Sequence, residues 1–230
     1  MEELKYHYKY PHPSVTTDSV IFGFDGVGLN VLLVRRGIEP YQGCWTFPGG
    51  FLQMDETVEE GAARELQEET GLRQAYMNQF HVYSDPQRDP RERVITVAFY
   101  ALVRISEVKG GDDAAEACWF PITEVPRLAF DHDRILRDAL QALQRNIHFE
   151  PVGFELLPAK FTMAQLQHLY EAILGVQFDR RNFYNKMLRL GILTSLGERV
   201  ASQKGKDAYL YSFNPDNYVA MKRKGFRLEF

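Results

Sequence analysis

Cysteine is scarce: Cys44 and Cys118 are the only two in 230 residues. Their wide separation gives neither a disulfide framework nor the spacing of thiolate metal ligands, so both are expected as reduced thiols and a sulfur-held metal is excluded. Long apolar runs are also missing. The longest, such as Val31 to Val34, suit a strand and fall far short of the roughly 20 residues of a membrane span. The opening residues, Met-Glu-Glu-Leu-Lys-Tyr-His-Tyr-Lys-Tyr, hold no hydrophobic stretch of a signal peptide, so a cytoplasmic location without a membrane partner is expected. Internal repeats and low-complexity tracts are absent. What remains is 45% hydrophobic and 25% charged, the composition of a globular chain long enough for one medium and one small domain, each with its own core.

Net charge is only -4, yet it is unevenly placed. Residues 1–149 carry 15 Lys and Arg against 23 Asp and Glu, whereas residues 150–230 carry 12 against 8. An acidic front half suits metal or sugar chemistry and a basic back half suits a polyanion, although uneven charge also arises by chance. The division predicts two domains, 1–150 and 151–230. Between them, residues 147–158 mix prolines and a glycine with apolar side chains, which predicts an ordered, packed connector.

In the front half, residues 15–24 and 29–35 are β-rich runs around an Asp25-Gly26 hairpin signal. Residues 77–84, 93–106 and 116–121 are also strand-like, and a helix is expected over about 131–145. Strands arranged about one buried helix and closed by another predict an α/β sandwich rather than a parallel βαβ array. The central helix should start at Thr57, which forms a capping box with Glu60, and stop at Gly71. Val58, Ala62 and Leu66 give it a buried stripe. Glu65, Glu68 and Glu69 converge at one edge of that stripe, near the helix C-terminus, where the macrodipole disfavours carboxylates. Positive charge is needed there. Arg64, four residues from both Glu60 and Glu68, supplies part, and Mg2+ or Mn2+ on oxygen ligands meets the remainder. The alternative is a solvated acidic face.

In the back half, Thr162 and Gln165 form a second capping box, opening a helix that stops at Gly175. Another helix is expected from an Asp179 cap to Leu190. Phe183, Met187 and Leu190 lie on one side of it, and Arg181, Asn182, Asn185, Lys186 and Arg189 on the other. That polar side holds groups able to read base edges and phosphates, with no acid among them. A Lys204-Gly205-Lys206 tip then separates two short strands, in which Tyr209, Tyr211 and Phe213 should alternate inward. A helix pair followed by a basic hairpin predicts a winged helix-turn-helix that binds double-stranded DNA through Arg180, Arg181, Asn182, Asn185, Lys186, Arg189, Lys204 and Lys206. A small accessory or protein-interaction module is the other reading.

Residues 50–72 carry Gly50, Glu56, Arg64, Glu65, Glu68, Glu69 and Gly71 at the spacing of a Nudix box. Together with Leu32 to Arg36, Gly43 to Phe51, Asp89 to Val94, Leu128 to His132 and Arg180 to Phe183, they make nearly the whole chain resemble the Nudix-related transcriptional regulators. The resemblance implies an α+β protein: a Nudix α/β/α sandwich followed by a winged helix-turn-helix. It also implies a homodimer that regulates an operon of sugar or cofactor metabolism, most simply as a repressor, and answers to a sugar or nucleotide-sugar effector such as a pentose or ADP-ribose. Under it Glu65, Glu68 and Glu69 become the metal ligands for Mg2+, Gly50 shapes the loop and Arg64 orients the carboxylates. The same four charged residues become catalytic if hydrolysis is retained. The box keeps all its carboxylates, so an Mg-dependent hydrolase of ADP-ribose or a related nucleoside diphosphate sugar stands as the alternative. For a hydroxyl-rich effector the candidate contacts are Asp18, Trp45, Tyr83, Asp85, Arg88, Arg93, Asp131 and His132. Ordinary roles compete: Asp131 as a helix cap, Trp45 in the core, and Arg88 to Arg93 as a bracing turn.

Overall fold

The computed structural model describes residues 8–71, 75–105, 114–201 and 207–223. The front half runs β1 (Ser14–Phe24), β2 (Leu29–Arg36), β3 (Trp45–Thr46), β4 (Gly49–Phe51), α1 (Val58–Thr70), β5 (Tyr76–Tyr83), β6 (Val94–Leu102), β7 (Ala114–Pro121) and α2 (His132–Asn146). All seven strands join one mixed sheet, in which β1 pairs antiparallel with β2 and β4 and parallel with β6. The parallel pair gives β1 a helix on each face. Val20, Phe22 and Phe24 pack towards Ile135 and Ala139 of α2, while Ile21 packs with Leu66 of α1. That double covering explains why the second half of β1, Val20 to Phe24, reads as a continuous apolar run instead of alternating. Asp18 shares the parity of Val20 and Phe22, so it points to the side where α2 begins.

α1 starts and stops where its caps dictate. Thr57 accepts from the Glu60 N–H, Glu60 returns a bond to the Thr57 N–H, and Gly71 takes the left-handed conformation at φ 76°. Because Glu60 is used in this box, it does not pair with Arg64 as its spacing allowed.

The back half runs β8 (Phe161–Thr162), α3 (Met163–Leu174), α4 (Arg180–Arg189), β9 (Leu193–Val200), β10 (Ala208–Phe213) and α5 (Pro215–Lys222), with a three-stranded sheet in the order β8-β10-β9. Thr162 and Asp179 cap α3 and α4, and Gly175 ends α3. The turn between these helices is fixed by Glu171 Oε1, which accepts both the Phe178 N–H and an N–H of Gln167, while Gln167 also donates to the Phe178 carbonyl. The expected inward alternation holds for Tyr211, which is buried, and for Phe213, which packs on the core, whereas Tyr209 stays exposed on the far side of a register shift in the pairing of β10 with β9. The lysines and glycine of the expected hairpin tip lie outside the described residues.

The connector is ordered. Val152–Leu156 form a 3-10 turn whose Val152, Phe154 and Leu156 are buried. One apolar cluster continues from Val20 and Ile135 through Phe154 to Leu166, Phe183 and Tyr211, so the halves share a core. Polar ties cross the same boundary: Gln144 donates to the Ile173 carbonyl, Arg104 to the Leu157 carbonyl, and Lys222 of α5 pairs with Glu150 at 2.6 Å.

Candidate functional site

A cavity of about 240 Å³ opens where the ends of β1 and β2, the β3–β4 segment, α1 and the start of α2 meet. Its floor is polar and buried. His132 Nδ1 accepts the Phe47 backbone N–H at 3.2 Å and faces the Thr46 hydroxyl at 3.0 Å. A backbone amide can only donate, so Nδ1 is the acceptor and the ring proton sits on Nε2. Burial lowers the imidazole pKa below 6.5, with Asp18 and Asp131 opposing, so the ring is neutral at pH 7. Nε2 lies 3.8 Å from Asp18 Oδ1. Asp18 Oδ2 receives the Thr96 hydroxyl at 2.6 Å, itself an acceptor for Thr16 at 2.8 Å, and stands 3.7 Å from Arg88. A donor on His132 and an acceptor on Asp18 thus face the cavity side by side, an arrangement suited to a sugar diol.

One wall is cationic. Arg36 donates through Nε to the Pro40 carbonyl and rests over the Phe130 ring at 4.9 Å, but its Nη2 is buried without a hydrogen-bond partner among the described residues. Burial first, then the nearby Arg91 charge, lowers the Arg36 pKa. Arg91 forks onto Asp89 at 3.0 and 2.7 Å and reaches within 5.5 Å of the Phe51 ring. Burial alone would raise the Asp89 pKa, but the bonds from Arg91 outweigh it and hold the carboxylate below its usual range. Phe130 adopts φ 53°, a strained value for a residue with a side chain, which turns its ring between the two arginines.

The opposite wall is acidic. Glu65 and Glu69 line the cavity; Glu69 Oε2 accepts the Gly49 N–H at 3.1 Å. Gly50 allows the chain to approach, since a Cβ there would stand 2.2 Å from Glu65 Oε1. Burial pushes the Glu65 carboxyl up against the pull of Arg64. Arg64 is the hub of this wall, donating to Glu56 at 2.7 and 3.0 Å, Glu65 at 2.7 Å, Glu68 at 3.0 Å and the Phe51 carbonyl. Those bonds hold Glu56 down at about 2. Glu65 and Glu68 meet on the same Arg64 Nη1, but of the three expected metal ligands Glu68 is exposed and does not line the cavity, which takes Glu65 and Glu69. Among the described residues no three carboxylate, imidazole or thiol groups are gathered as a metal cage. Glu65 and Glu69 nonetheless offer hard oxygen donors of the kind Mg2+ takes, with waters and a phosphate completing its shell.

Of the effector candidates, the cavity gathers Asp18, Arg88 and His132. The others are engaged elsewhere. Tyr83 donates to Asp138 at 2.8 Å within the core, and burial with that carboxylate raises its pKa. Trp45 packs on Phe120, Asp85 accepts the Gln87 N–H in a turn, and Arg93 donates to the Ser84 carbonyl. Asp131 stands at the N-cap position of α2 without capping it; its carboxylate takes a fork from Arg88 at 2.8 and 3.1 Å. Arg36, Arg91, Glu65, Glu69, Phe51 and Phe130 complete the cavity, and the last two and both arginines were not anticipated as contacts.

On α4, Arg180, Arg181, Asn182, Asn185 and Arg189 are exposed, but Lys186 is half-buried and less available than its helical position implied. Lys204 and Lys206 lie outside the described residues.

Comparison with known proteins places these features. Residues 12–139 match the NUDIX domain family and residues 153–213 match the NrtR DNA-binding winged helix domain. The chain is 42% identical over 139 residues to an ADP-ribose pyrophosphatase of Methanocaldococcus jannaschii, covering 60% of this chain and 80% of that one. It is 31% identical over 214 residues to the ADPR responsive transcriptional repressor NtrR of Acinetobacter baylyi, covering 91% of this chain and 85% of the relative. Shewanella oneidensis NrtR, solved in complex with a 27mer DNA, superposes with a TM-score of 0.76 at 29% identity, over 93% of this chain and 97% of that one. The chain therefore belongs to the Nudix family, in the form that joins a NUDIX domain to an NrtR-type winged helix DNA-binding domain.

Proposed function

We propose that this protein is a homodimeric transcriptional repressor that leaves its operator when ADP-ribose occupies the cavity of residues 1–150, with residues 151–230 carrying the DNA contacts. The observation that carries the effector is the cationic wall: a buried Arg36 Nη2 without a partner, beside the second guanidinium of Arg91. Two adjacent cations are stabilised by an anion, and a diphosphate supplies it in charge-assisted bonds. The Asp18 and His132 pair then suits a ribose diol, and the exposed Phe51 ring offers an apolar surface to a base. A free pentose fills only the floor and leaves the Arg36 Nη2 unanswered. ADP-ribose is also part of the nicotinamide dinucleotides, which favours an operon of cofactor rather than sugar metabolism. The name of the Acinetobacter relative, which matches both halves, supports repression.

Should Mg2+ bind at Glu65 and Glu69, it would neutralise and polarise the diphosphate. Sustained hydrolysis is the less favoured reading, because the pyrophosphatase relative matches 60% of this chain whereas the repressor relative matches 91%.

The test is fluorescence anisotropy of a labelled upstream duplex. ADP-ribose is expected to release the protein and ribose to leave it bound. Arg36→Gln should bind DNA like the parent but need about 10- to 100-fold more ADP-ribose. No DNA binding at low salt, or equal release by free ribose, would overturn the reading. Product analysis with Mg2+ shows whether the effector survives.

A further inference from the structure

Winged-helix readers make most of their contacts to phosphates and sugars, which set register without reading sequence. Beyond the exposed α4 face, the back half has a second concave feature: a cavity of about 170 Å³ between the first turns of α3 and α4 and strand β10. Tyr184, Tyr209, Tyr211 and Arg180 line it. We propose that this cavity seats a phosphodiester of the DNA backbone, held by the tyrosine hydroxyls with Arg180. The proposal rests on reading the winged helix as DNA-binding.

Proton counting carries the argument. The hydroxyls of Tyr184 and Tyr211 lie 3.1 Å apart, so one donates to the other and the pair keeps one further proton to donate. Tyr211 is only 5% exposed. Burial and its neighbours push its pKa up to about 12, so it stays protonated. Across the cavity Tyr209 Oη accepts an N–H from Arg199, whose guanidinium also lies over the Tyr209 ring at 4.5 Å. That phenol therefore keeps its own proton to donate. Arg180 is exposed at the start of α4 and makes no side-chain hydrogen bond or ion pair among the described residues. Gln167 adds nothing to this set, because its amide N–H groups go to Glu171 and the Phe178 carbonyl.

The cavity therefore presents several donors to whatever enters it. A phosphodiester supplies two unesterified oxygens with one negative charge. Asp207 at the rim opposes an anion, so the donors must outweigh one carboxylate. Position agrees with chemistry. On the helical wheel Arg180 and Tyr184 flank the buried Phe183 and Met187, bordering the exposed face of Arg181, Asn182 and Asn185. A duplex read by that face brings its backbone to this flank, as the helix preceding the reader does when it crosses the strand.

Operator binding by full-length Tyr184→Phe, Tyr209→Phe and Arg180→Gln, measured across salt concentrations, tests the seat. Each tyrosine variant should weaken binding about three- to tenfold, equally on operator and on unrelated duplex, with an unchanged salt slope, since a neutral hydroxyl displaces no counterion. Arg180→Gln should weaken both duplexes and flatten the log–log salt slope by about 1. ADP-ribose binding and melting temperature serve as folding controls; should Tyr184→Phe fail them, the exposed Tyr209→Phe decides. Parent-like binding by the tyrosine variants would overturn the seat while leaving DNA recognition standing, as would a loss confined to the operator, which marks a base contact. Failure of the parent to bind any duplex would remove both.

Discussion

His132 joins the floor of the cavity to the first turn of α2, and its buried, neutral ring makes the protein sensitive to acid. Burial lowers its pKa in the folded state. As pH falls through about 6.5, the unfolded chain takes up a proton that the folded ring refuses, so stability is lost downward from that point. Denaturant unfolding at pH 7.5 and 5.5 should show lower stability at 5.5, and His132→Asn should reduce the difference. An unchanged difference would place the acid sensitivity elsewhere. This residue, Asp18 and Arg88 were nominated as side chains that fit a hydroxyl-rich ligand, and the structure brings the three together. Tyr83, Asp85, Arg93 and Trp45 have equally suitable chemistry, and only tertiary contacts show that each already has a partner. The missed Arg36 had a signal: Arg35-Arg36 closes the apolar run of β2, and charges ending a doubly covered strand stand where a sheet edge opens. Nothing local announces that Phe130 turns left-handed between two arginines.

At the scale of elements, caps were the most readable feature, because a capping box depends on four consecutive residues and a glycine after them. α1 and α3 begin and end as their sequences require. The short β8 and the 3-10 turn were not readable, since each is formed by packing on the shared core rather than by periodicity, whereas α5 carried an unread start signal in its Asn214 cap and Pro215. Within α1 the decisive group is Arg64, which binds Glu56, Glu65 and Glu68 together. Arg64→Ala leaves those carboxylates facing one another and should lower the melting temperature at pH 7 by about 5 °C. The Glu56 carboxyl, held at about 2 by Arg64, gives the parent stability present above about 4.5 and lost as pH falls towards 2. The variant lacks that contribution, so the gap in melting temperature between the two proteins should close as pH drops from 7 to 3. Addition of Mg2+ at pH 7 should also recover part of the loss. A gap independent of pH and metal would mean that Arg64 acts through packing alone.

At the scale of the whole molecule, α2 is the physical link between the cavity and the winged helix, and so, on the proposed function, between effector and DNA. Its 15 residues span about 22 Å. Asp131 and His132 stand at one end against Arg88 and Asp18, and at the other Gln144 donates to the Ile173 carbonyl of α3 while Asn146 donates to Tyr100 at 2.7 Å. A ligand that draws Asp18, His132 or Arg88 to itself alters the seat of α2, and a closely packed helix transmits the displacement to α3 and then α4. Linkage makes the consequence quantitative: the factor by which ADP-ribose weakens operator binding must equal the factor by which operator weakens ADP-ribose binding. Titrating ADP-ribose calorimetrically with and without saturating operator, and operator with and without ADP-ribose, measures both. The factors are expected to agree. Gln144→Ala should shrink both together, about two- to tenfold, while leaving each ligand's affinity for the otherwise free protein near the parental value. If Gln144→Ala instead lowers operator affinity without changing the factor, the Gln144 bond only holds the winged helix in place, and the coupling runs through the shared apolar core.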